Sequence, residues 1–177
     1  WQLLSPVEQT VLQRLSVFRG GWAWAQAAAV AGATRDVLAD LVDKSLVRVT
    51  QEGRFDLHEL VRQFGAGQLH RSGEDGVTHR RHFTAYLELM RSADAKLRGP
   101  ETVTWYARLE PEQDNLRAAL QWALDGGHFI DAAWLAVALN YYWYIRGHWH
   151  EGSRVLQPLL AHLAELGPEL RLATLHT

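Results

Sequence analysis

Two short alternating stretches, separated by one tight turn, interrupt a chain whose other patterns are helical. Residues 46–50 and 54–57 alternate apolar with polar side chains on either side of Gln51-Glu52-Gly53. Such alternation around a glycine-containing turn is typical of a β-hairpin. From Glu59 onward, apolar residues recur at helical spacing. The sequence therefore predicts a mainly α protein that contains one small hairpin.

Three helical patterns precede the hairpin. Ser5 is a favourable N-cap, and Glu8 is placed to complete a capping box with it. Gly20-Gly21 ends this first helix. A second helix ends at Gly32, and Thr34 caps a third. Three helices followed by a hairpin is the order of elements in a winged-helix domain.

The remainder of the chain is predicted to be helical. One helix begins at Glu59 and is broken by Gly73, and a longer one ends before Gly99-Pro100. Three or four further helices are expected after that. The break near Gly73 predicts two domains, a winged helix over residues 1–73 and a helical region over residues 74–177.

A weak internal repeat lies in the helical region. The segment Gly127-His128-Phe129-Ile130-Asp131-Ala132 resembles Gly147-His148-Trp149-His150-Glu151-Gly152. One helix and one turn separate Phe129 from Trp149. Glycine permits the chain reversal, and the aromatic side chain packs against the next helix. The pattern around Gly147 is also similar to the turn of a tetratricopeptide repeat (TPR). Antiparallel TPR-like repeats are therefore predicted, with both aromatic residues packed between helices.

Several segments together resemble one protein family. Leu57-His58-Glu59 is similar to the Met-His-Asp signature of the winged-helix domain in STAND-type signalling ATPases. The resemblance to bacterial members, the large LuxR-type and MalT-like transcriptional regulators, covers most of the chain. Its further segments are residues 3–9, 15–21, 41–47, 54–64 and 114–124.

The resemblance implies a non-catalytic regulatory fragment of such an ATPase, acting in bacterial signal transduction and transcription regulation. In that family the histidine at the position of His58 senses the phosphates of bound ADP. This chain has neither a G-x-x-x-x-G-K-[ST] phosphate loop nor a glycine-rich dinucleotide fingerprint. ADP or ATP is therefore expected on an upstream domain of the same protein, with no cofactor in this fragment. Leu57 and Phe55 are expected to be buried and His58 accessible.

Two alternatives remain open for the function. The chain could be a stand-alone helical-repeat scaffold that binds a partner protein. Its winged helix could instead bind DNA through the third helix, over about residues 34–44. That helix contains three aspartates, Asp36, Asp40 and Asp43, but only two basic residues, Arg35 and Lys44. The hairpin adds Arg48 and Arg54. This acidic balance opposes contact with DNA phosphates.

The richest aromatic run predicts a groove for an effector, either a small molecule or a protein. One helix cannot bury so many large side chains on a single face. Some are expected to form the repeat core and others to line the groove. Aromatic residues are favoured at interfaces. The candidate groove residues are Trp134, Tyr141, Tyr142, Tyr144 and Arg146.

Composition restricts the remaining classes of function. The absence of cysteine excludes disulfides and zinc–thiolate sites and is consistent with a cytoplasmic protein, and the net charge of −2 gives no general attraction to nucleic acid or membrane. No apolar run approaches the roughly 20 residues of a membrane helix. The spacing of His79 and His82 allows a metal site in principle, but no carboxylate is suitably phased. The histidines near the repeat turns, His128, His148 and His150, are assigned to those turns. No metal site is predicted.

The two ends of the sequence suggest a fragment. Trp1 lies close to the start of the first helix, and Thr177 falls inside a helical pattern. The expectation is that this chain is cut from a larger protein.

Overall fold

The structure, a computed structural model, describes residues 1–147 and 149–175, with backbone alone for Trp149 and Glu151. The prediction of a mainly α protein is confirmed, because helices dominate the described residues beside one two-stranded antiparallel sheet. The chain divides into two compact units, Trp1–Ala85 and the remainder from Tyr86 onward. One helix continues through this division, and the domain boundary near Gly73 stays a prediction.

The first unit has the predicted order of three helices and a hairpin. Its elements are α1 (Pro6–Leu15), α2 (Trp24–Ala31), α3 (Arg35–Asp43), β1 (Val47–Val49), β2 (Phe55–Leu57), α4 (Glu59–Ser72) and the start of α5 (Asp75–Leu97). The predicted caps form. Ser5 N donates to Glu8 Oε2 at 2.7 Å, and Glu8 N donates to Ser5 Oγ at 3.3 Å. Thr34 Oγ1 accepts a hydrogen bond from Val37 N at 3.2 Å.

The hairpin is extended by a residue that the sequence pattern did not assign to it. β1 pairs with β2 so that Val47 faces Leu57 and Val49 faces Phe55. Trp22 then bridges to the other side of β2: its N donates to Phe55 O at 2.9 Å, and Phe55 N donates to Trp22 O at 2.8 Å. The segment before α2 therefore acts as a third, one-residue strand.

The two burial predictions for β2 have different outcomes. Leu57 is buried, as predicted, but Phe55 is only half-buried, so that expectation was wrong in part. Phe55 lies opposite Val49 near the turn, and Val49 is itself 51% exposed. The turn end of the hairpin therefore extends beyond the core, which leaves Phe55 with less cover than Leu57.

Helix α4 approaches α1 closely at a glycine. A Cβ added to Gly65 would lie 3.1 Å from Ser16 Cβ and 3.3 Å from Leu12 O. A bidentate ion pair also connects α1 with the turn after α4: Arg14 donates hydrogen bonds to both carboxylate oxygens of Glu74, at 2.8 and 2.9 Å. These contacts fix the direction of α4 and so the place of His58 at its start.

The second unit continues α5 and adds helices along the rest of the chain. They are α6 (Thr102–Leu109), α7 (Gln113–Asp125), α8 (Phe129–Arg146), α9 (Trp149–Ala161) and α10 (Pro168–Leu175). The described residues of this unit thus hold five further helices, where three or four were predicted. Pro111 lies in a 3-10 turn, Glu110–Glu112, which separates α6 from α7 as helices of their own.

The two glycines of the predicted repeat have similar backbone geometry. Gly127 and Gly147 both have left-handed φ angles, 69° and 71°, and each lies two residues before a helix start. Phe129 is half-buried and stacks on His162, with ring centroids 3.6 Å apart. The side chain of Trp149 and the whole of His148 lie outside the described residues. The TPR-like character of these helices stays a prediction.

No helix in the described part of the chain is long and apolar enough to cross a membrane.

A buried acid makes the first unit sensitive to low pH. Glu8 is 5% exposed and forms an ion pair with Lys44. The Lys44 ammonium and the backbone N–H of Ser5 lower the pKa of Glu8 from 4.5 to about 2. Because the folded pKa lies below the unfolded one, this stabilisation is complete above about pH 5 and is lost as the pH falls toward 2.

Replacing Glu8 by glutamine is expected to make stability less dependent on pH between about pH 5 and pH 2. Glutamine keeps an acceptor for Ser5 N but cannot gain stability from ionisation. Urea unfolding at a series of pH values measures the slope. Glu52→Gln, in the exposed turn of the hairpin, is the matched control and should retain the wild-type slope. An unchanged slope in Glu8→Gln would contradict the assignment.

Candidate functional site

The start of α4 presents an accessible histidine. His58 is exposed, as predicted, and is the N-cap residue of the helix. Its Nδ1 accepts a hydrogen bond from Leu60 N at 3.3 Å. A ring nitrogen that accepts a hydrogen bond carries no proton, so in the neutral ring the proton is on Nε2. The histidine therefore stabilises the helix end through one nitrogen and has an N–H donor at the other.

Glu59, the residue after His58, interacts with two arginines. Glu59 accepts hydrogen bonds from Arg62 Nε and Gln63 Nε2, each at 2.7 Å. The Arg62 hydrogen bond is the main reason that the pKa of Glu59 falls to about 2, so this carboxylate is ionised at neutral pH. Burial lowers the pKa of Arg19, and the neighbouring charge of Arg62 lowers it further. Two guanidinium groups thus accompany one carboxylate.

An exposed apolar surface begins in the same turn of α4. Leu60 and Phe64 lie four residues apart on one side of the helix and are 69% and 47% exposed. The ring of Trp1, itself 39% exposed, contacts Phe64 edge to face with centroids 5.4 Å apart. We call Trp1, Leu60 and Phe64 the Trp1–Phe64 surface. Contiguous exposed apolar groups of this kind mark interaction sites.

The basic residues of α3 and the hairpin are engaged within the first unit. Lys44 pairs with Glu8, and Arg35 lies over the Trp24 ring at 4.6 Å from its centroid. In the hairpin, Arg48 donates to Asp56 at 2.6 Å, and Arg54 donates to the carbonyl oxygen of Gly21 at 2.6 Å. The three aspartates of α3, Asp36, Asp40 and Asp43, are all exposed. The exposed face of this helix is therefore acidic.

The five predicted groove residues do not form one surface. Trp134 and Tyr144 are 39% and 56% exposed, and Tyr141 is half-buried and stacked against Tyr144. Tyr142 is 2% exposed, and its hydroxyl accepts a hydrogen bond from Gln113 Nε2 at 2.7 Å. Arg146 is ion-paired with Glu110.

Tyr142 instead borders a small open pocket between α7 and α8. The pocket is small and opens to solvent. Its lining is mainly apolar and comprises Gln113, Leu116, Arg117, Leu120, Leu139, Tyr142 and Trp143. The aromatic run is thus divided between an inner set around Tyr142 and an outer set that includes Trp134 and Tyr141.

Two arginines that the sequence pattern did not select border the outer set. Arg91 Cζ lies 5.5 Å from the centroid of the Trp134 ring, and Arg98 Cζ lies 4.7 Å from that of Tyr141. Both arginines belong to α5. They are seven residues apart, as are the two aromatic residues, but this shared interval becomes informative only once the packing of α5 against these rings is known.

The histidines do not gather into a metal site within the described residues. His79 is near Asp75, with Nδ1 3.0 Å from the backbone oxygen, whereas His82 is buried against the ring of Phe18. His128 packs against the Trp122 ring. In the part of the chain that the structure describes, no group of three or more His, Asp or Glu side chains could hold a metal ion.

Similar proteins are found among bacterial regulators. A Mycobacterium bovis protein named "Putative HTH-type transcriptional regulator" is 38% identical over 160 residues, which cover 85% of this chain and 18% of that protein. Proteins of the same name from two strains of Mycobacterium tuberculosis match equally. No protein-family model and no solved structure matches the chain. The chain is thus homologous to one segment of mycobacterial proteins named as HTH-type transcriptional regulators, and it spans 18% of the length of these curated relatives.

Proposed function

We propose that this chain is a regulatory segment, without a reaction of its own, of a STAND-type signalling ATPase that acts as a transcriptional regulator. ADP binds to an upstream domain of the same protein, and His58 donates a hydrogen bond to its phosphates. The observation that supports this best is the exposed imidazole of His58, whose Nδ1 is held by Leu60 N.

The surroundings of His58 are suited to a phosphate group. The N–H groups at a helix N-terminus favour anions, and His58 lies at that end of α4. Arg19 and Arg62, which interact with the adjacent Glu59, provide positive charge in this part of the unit. These groups are sufficient for one contact with a nucleotide but not for a complete site. The rest of the ADP site therefore belongs to the upstream domain.

The Trp1–Phe64 surface gives that upstream domain a place to pack. It is apolar, exposed and in the same helical turn as His58. Burial of three large side chains would contribute favourably, because each buried apolar side chain is worth about 1.5–3 kcal/mol relative to full exposure. A domain packed there would bring bound ADP close to the histidine, and its departure would expose the surface again.

The helical region then couples a signal to that closed state. An effector shifts the population only if it binds the open form better than the closed form. In this proposal the signal is a small molecule or a protein bound by the aromatic helices of the second unit. The TPR-like repeat pattern predicted for these helices supports a binding role.

Direct DNA binding is assigned to another part of the full-length protein. The relatives are named as HTH-type regulators, and more than four-fifths of their length lies outside the matched segment. In this chain α3 exposes three aspartates, while the basic residues of α3 and the hairpin have partners within the unit. That charge distribution opposes contact with phosphates. The remaining alternative is a scaffold that binds a partner without a nucleotide switch.

The test is an ADP titration of the full-length protein with His58→Asn and His58→Ala. Asparagine is a good N-cap, so it retains the helix end, while its shorter side chain places no donor at the position of the imidazole Nε2. Both variants are expected to lose about 1–3 kcal/mol of ADP binding free energy, the usual effect of leaving a buried charged partner without its hydrogen bond. Isothermal titration calorimetry measures the affinity.

His70→Asn is the matched control, since His70 is also exposed on α4. It should bind ADP as the wild type does. If the wild-type protein does not bind ADP, the ATPase proposal fails and the scaffold is favoured. If His58→Asn binds ADP normally, His58 serves only as a cap.

A further inference from the structure

Helix α8 exposes a continuous apolar stripe. Four of its side chains are 39–56% exposed, and two half-buried ones fill the intervals between them. Their spacing places them along one side of the helix. The α8 stripe consists of Ile130, Trp134, Val137, Tyr141, Tyr144 and Ile145. No charged side chain occurs in α8 between Asp131 and Arg146.

Two positively charged side chains of α5 contact this stripe. The guanidinium groups of Arg91 and Arg98 lie over the rings of Trp134 and Tyr141. Arg91 has no ion pair with any residue that the structure describes. Arg98 shares an exposed pair with Asp94 at 3.2 Å, and exposed pairs of this kind are worth about 0–1 kcal/mol. Both arginines can therefore donate hydrogen bonds to a carboxylate of another molecule.

We propose that the α8 stripe binds an acidic amphipathic helix of a partner protein. The apolar face of that helix would pack on Trp134 and Tyr141, and two carboxylates would pair with Arg91 and Arg98. Seven residues of helix span about 10 Å, so carboxylates seven positions apart match the interval between the two arginines. Charge complementarity of this kind selects partners and speeds their association.

A second physical argument favours an acidic partner over a neutral one. A guanidinium over an aromatic face keeps its charge and most of its hydrogen-bond donors. An apolar partner without carboxylates would cover those donors and leave them without acceptors, which is unfavourable. An acidic helix supplies acceptors at the border of the stripe while its apolar side chains cover the rings. The inference rests on the partner-binding role proposed for the second unit, but not on His58.

The probe is a fluorescein-labelled synthetic helix of about 18 residues, long enough to follow the whole stripe. It carries leucine on one face and two glutamates seven positions apart, and its twin carries lysines there instead. Fluorescence anisotropy measures both affinities for the full-length protein. The glutamate peptide is expected to bind at least about tenfold more tightly than the lysine twin at low salt, with a smaller difference as ionic strength rises.

Three variants locate the binding site. Trp134→Ala is expected to weaken binding of the glutamate peptide at least about tenfold, as loss of a central aromatic anchor does. The double variant Arg91→Glu and Arg98→Glu should prefer the lysine twin. Arg108→Glu is the matched control, because Arg108 lies 4.5 Å from the Trp105 ring centroid on α6 and outside the stripe. It should leave both affinities unchanged.

Several results would overturn the inference. They are equal binding of the two peptides, no binding of either, or an equal loss in Arg108→Glu. A dimer that Trp134→Ala separates, seen by light scattering, would assign the stripe to a second copy of the chain and also overturn it. The ADP titration is independent of these results. If the His58 variants lose ADP affinity as expected but the two peptides bind equally, only the inference about the α8 stripe is refuted. The proposed nucleotide switch would then still stand.

Discussion

Replacing Trp22 by alanine is expected to lower the free energy of unfolding by about 3–5 kcal/mol, the range for removal of a large buried aromatic side chain. Trp22 is 1% exposed and stacks on Phe18 with ring centroids 4.9 Å apart. The truncation would leave a cavity beside Phe18, and rigid neighbours fill such cavities only partly. Urea unfolding followed by far-UV circular dichroism measures the change.

Trp22→Phe separates packing from hydrogen bonding. The indole Nε1 of Trp22 is buried and finds no acceptor among the described residues. A buried donor without a partner is unfavourable by about 1–3 kcal/mol. Phenylalanine removes that donor and keeps an aromatic ring against Phe18, so its loss should be much smaller than that of alanine. Equal losses in the two variants would contradict this account.

This tryptophan also shows what the sequence could not predict in the first unit. The caps at Ser5 and Thr34 depend on residues three positions apart, so a local pattern is enough to predict them. The pairing of Trp22 with Phe55 joins positions 33 residues apart, and no turn signal or alternation marks a strand of one residue. The burial of Phe55 was overestimated for a related reason: alternation along a strand does not show how far the turn end of the hairpin, with Val49 at 51% exposure, extends beyond the core.

Among the candidate site residues, too, some features could be predicted from the sequence, and others depend on packing that the sequence does not show. The accessibility of His58 follows from its place at a strand-to-helix junction, which the sequence does reveal. The separation of Tyr142 from Tyr141 and Tyr144 depends on which side of α8 meets α7, and an almost uniformly apolar helix gives no periodic signal for that. Arg91 and Arg98 could not be selected, because α5 carries many charged residues and only the packing brings these two to the rings.

Replacing Tyr86 by phenylalanine is expected to lower the stability of the second unit by about 2–3 kcal/mol, at the upper end for loss of a buried hydrogen-bond partner. The Tyr86 hydroxyl donates to Glu112 Oε2 at 2.8 Å, and Asn115 Nδ2 approaches the same oxygen at 3.4 Å. All three residues are buried, at 0%, 3% and 0% exposure. The buried carboxyl group of Glu112 would lose this donor and could not turn to water.

Tyr141→Phe is the control for the loss of a phenol hydroxyl, because Tyr141 is half-buried and its hydroxyl makes no hydrogen bond with a described residue. It should change stability by less than about 0.5 kcal/mol. Urea unfolding compares the variants, and a loss in Tyr86→Phe no larger than in this control would contradict the role of the hydrogen bond.

A double-mutant cycle with Glu112→Met distinguishes a favourable bond from the need to satisfy a buried acid. Removing one partner of a buried polar pair is strongly unfavourable, whereas replacing both with apolar groups can be nearly neutral. The double variant Tyr86→Phe and Glu112→Met is therefore expected to be more stable than the sum of the single losses predicts. If the losses instead add, the Tyr86–Glu112 bond does not couple α5 to the start of α7, and the packing of Tyr86 alone holds α5 there.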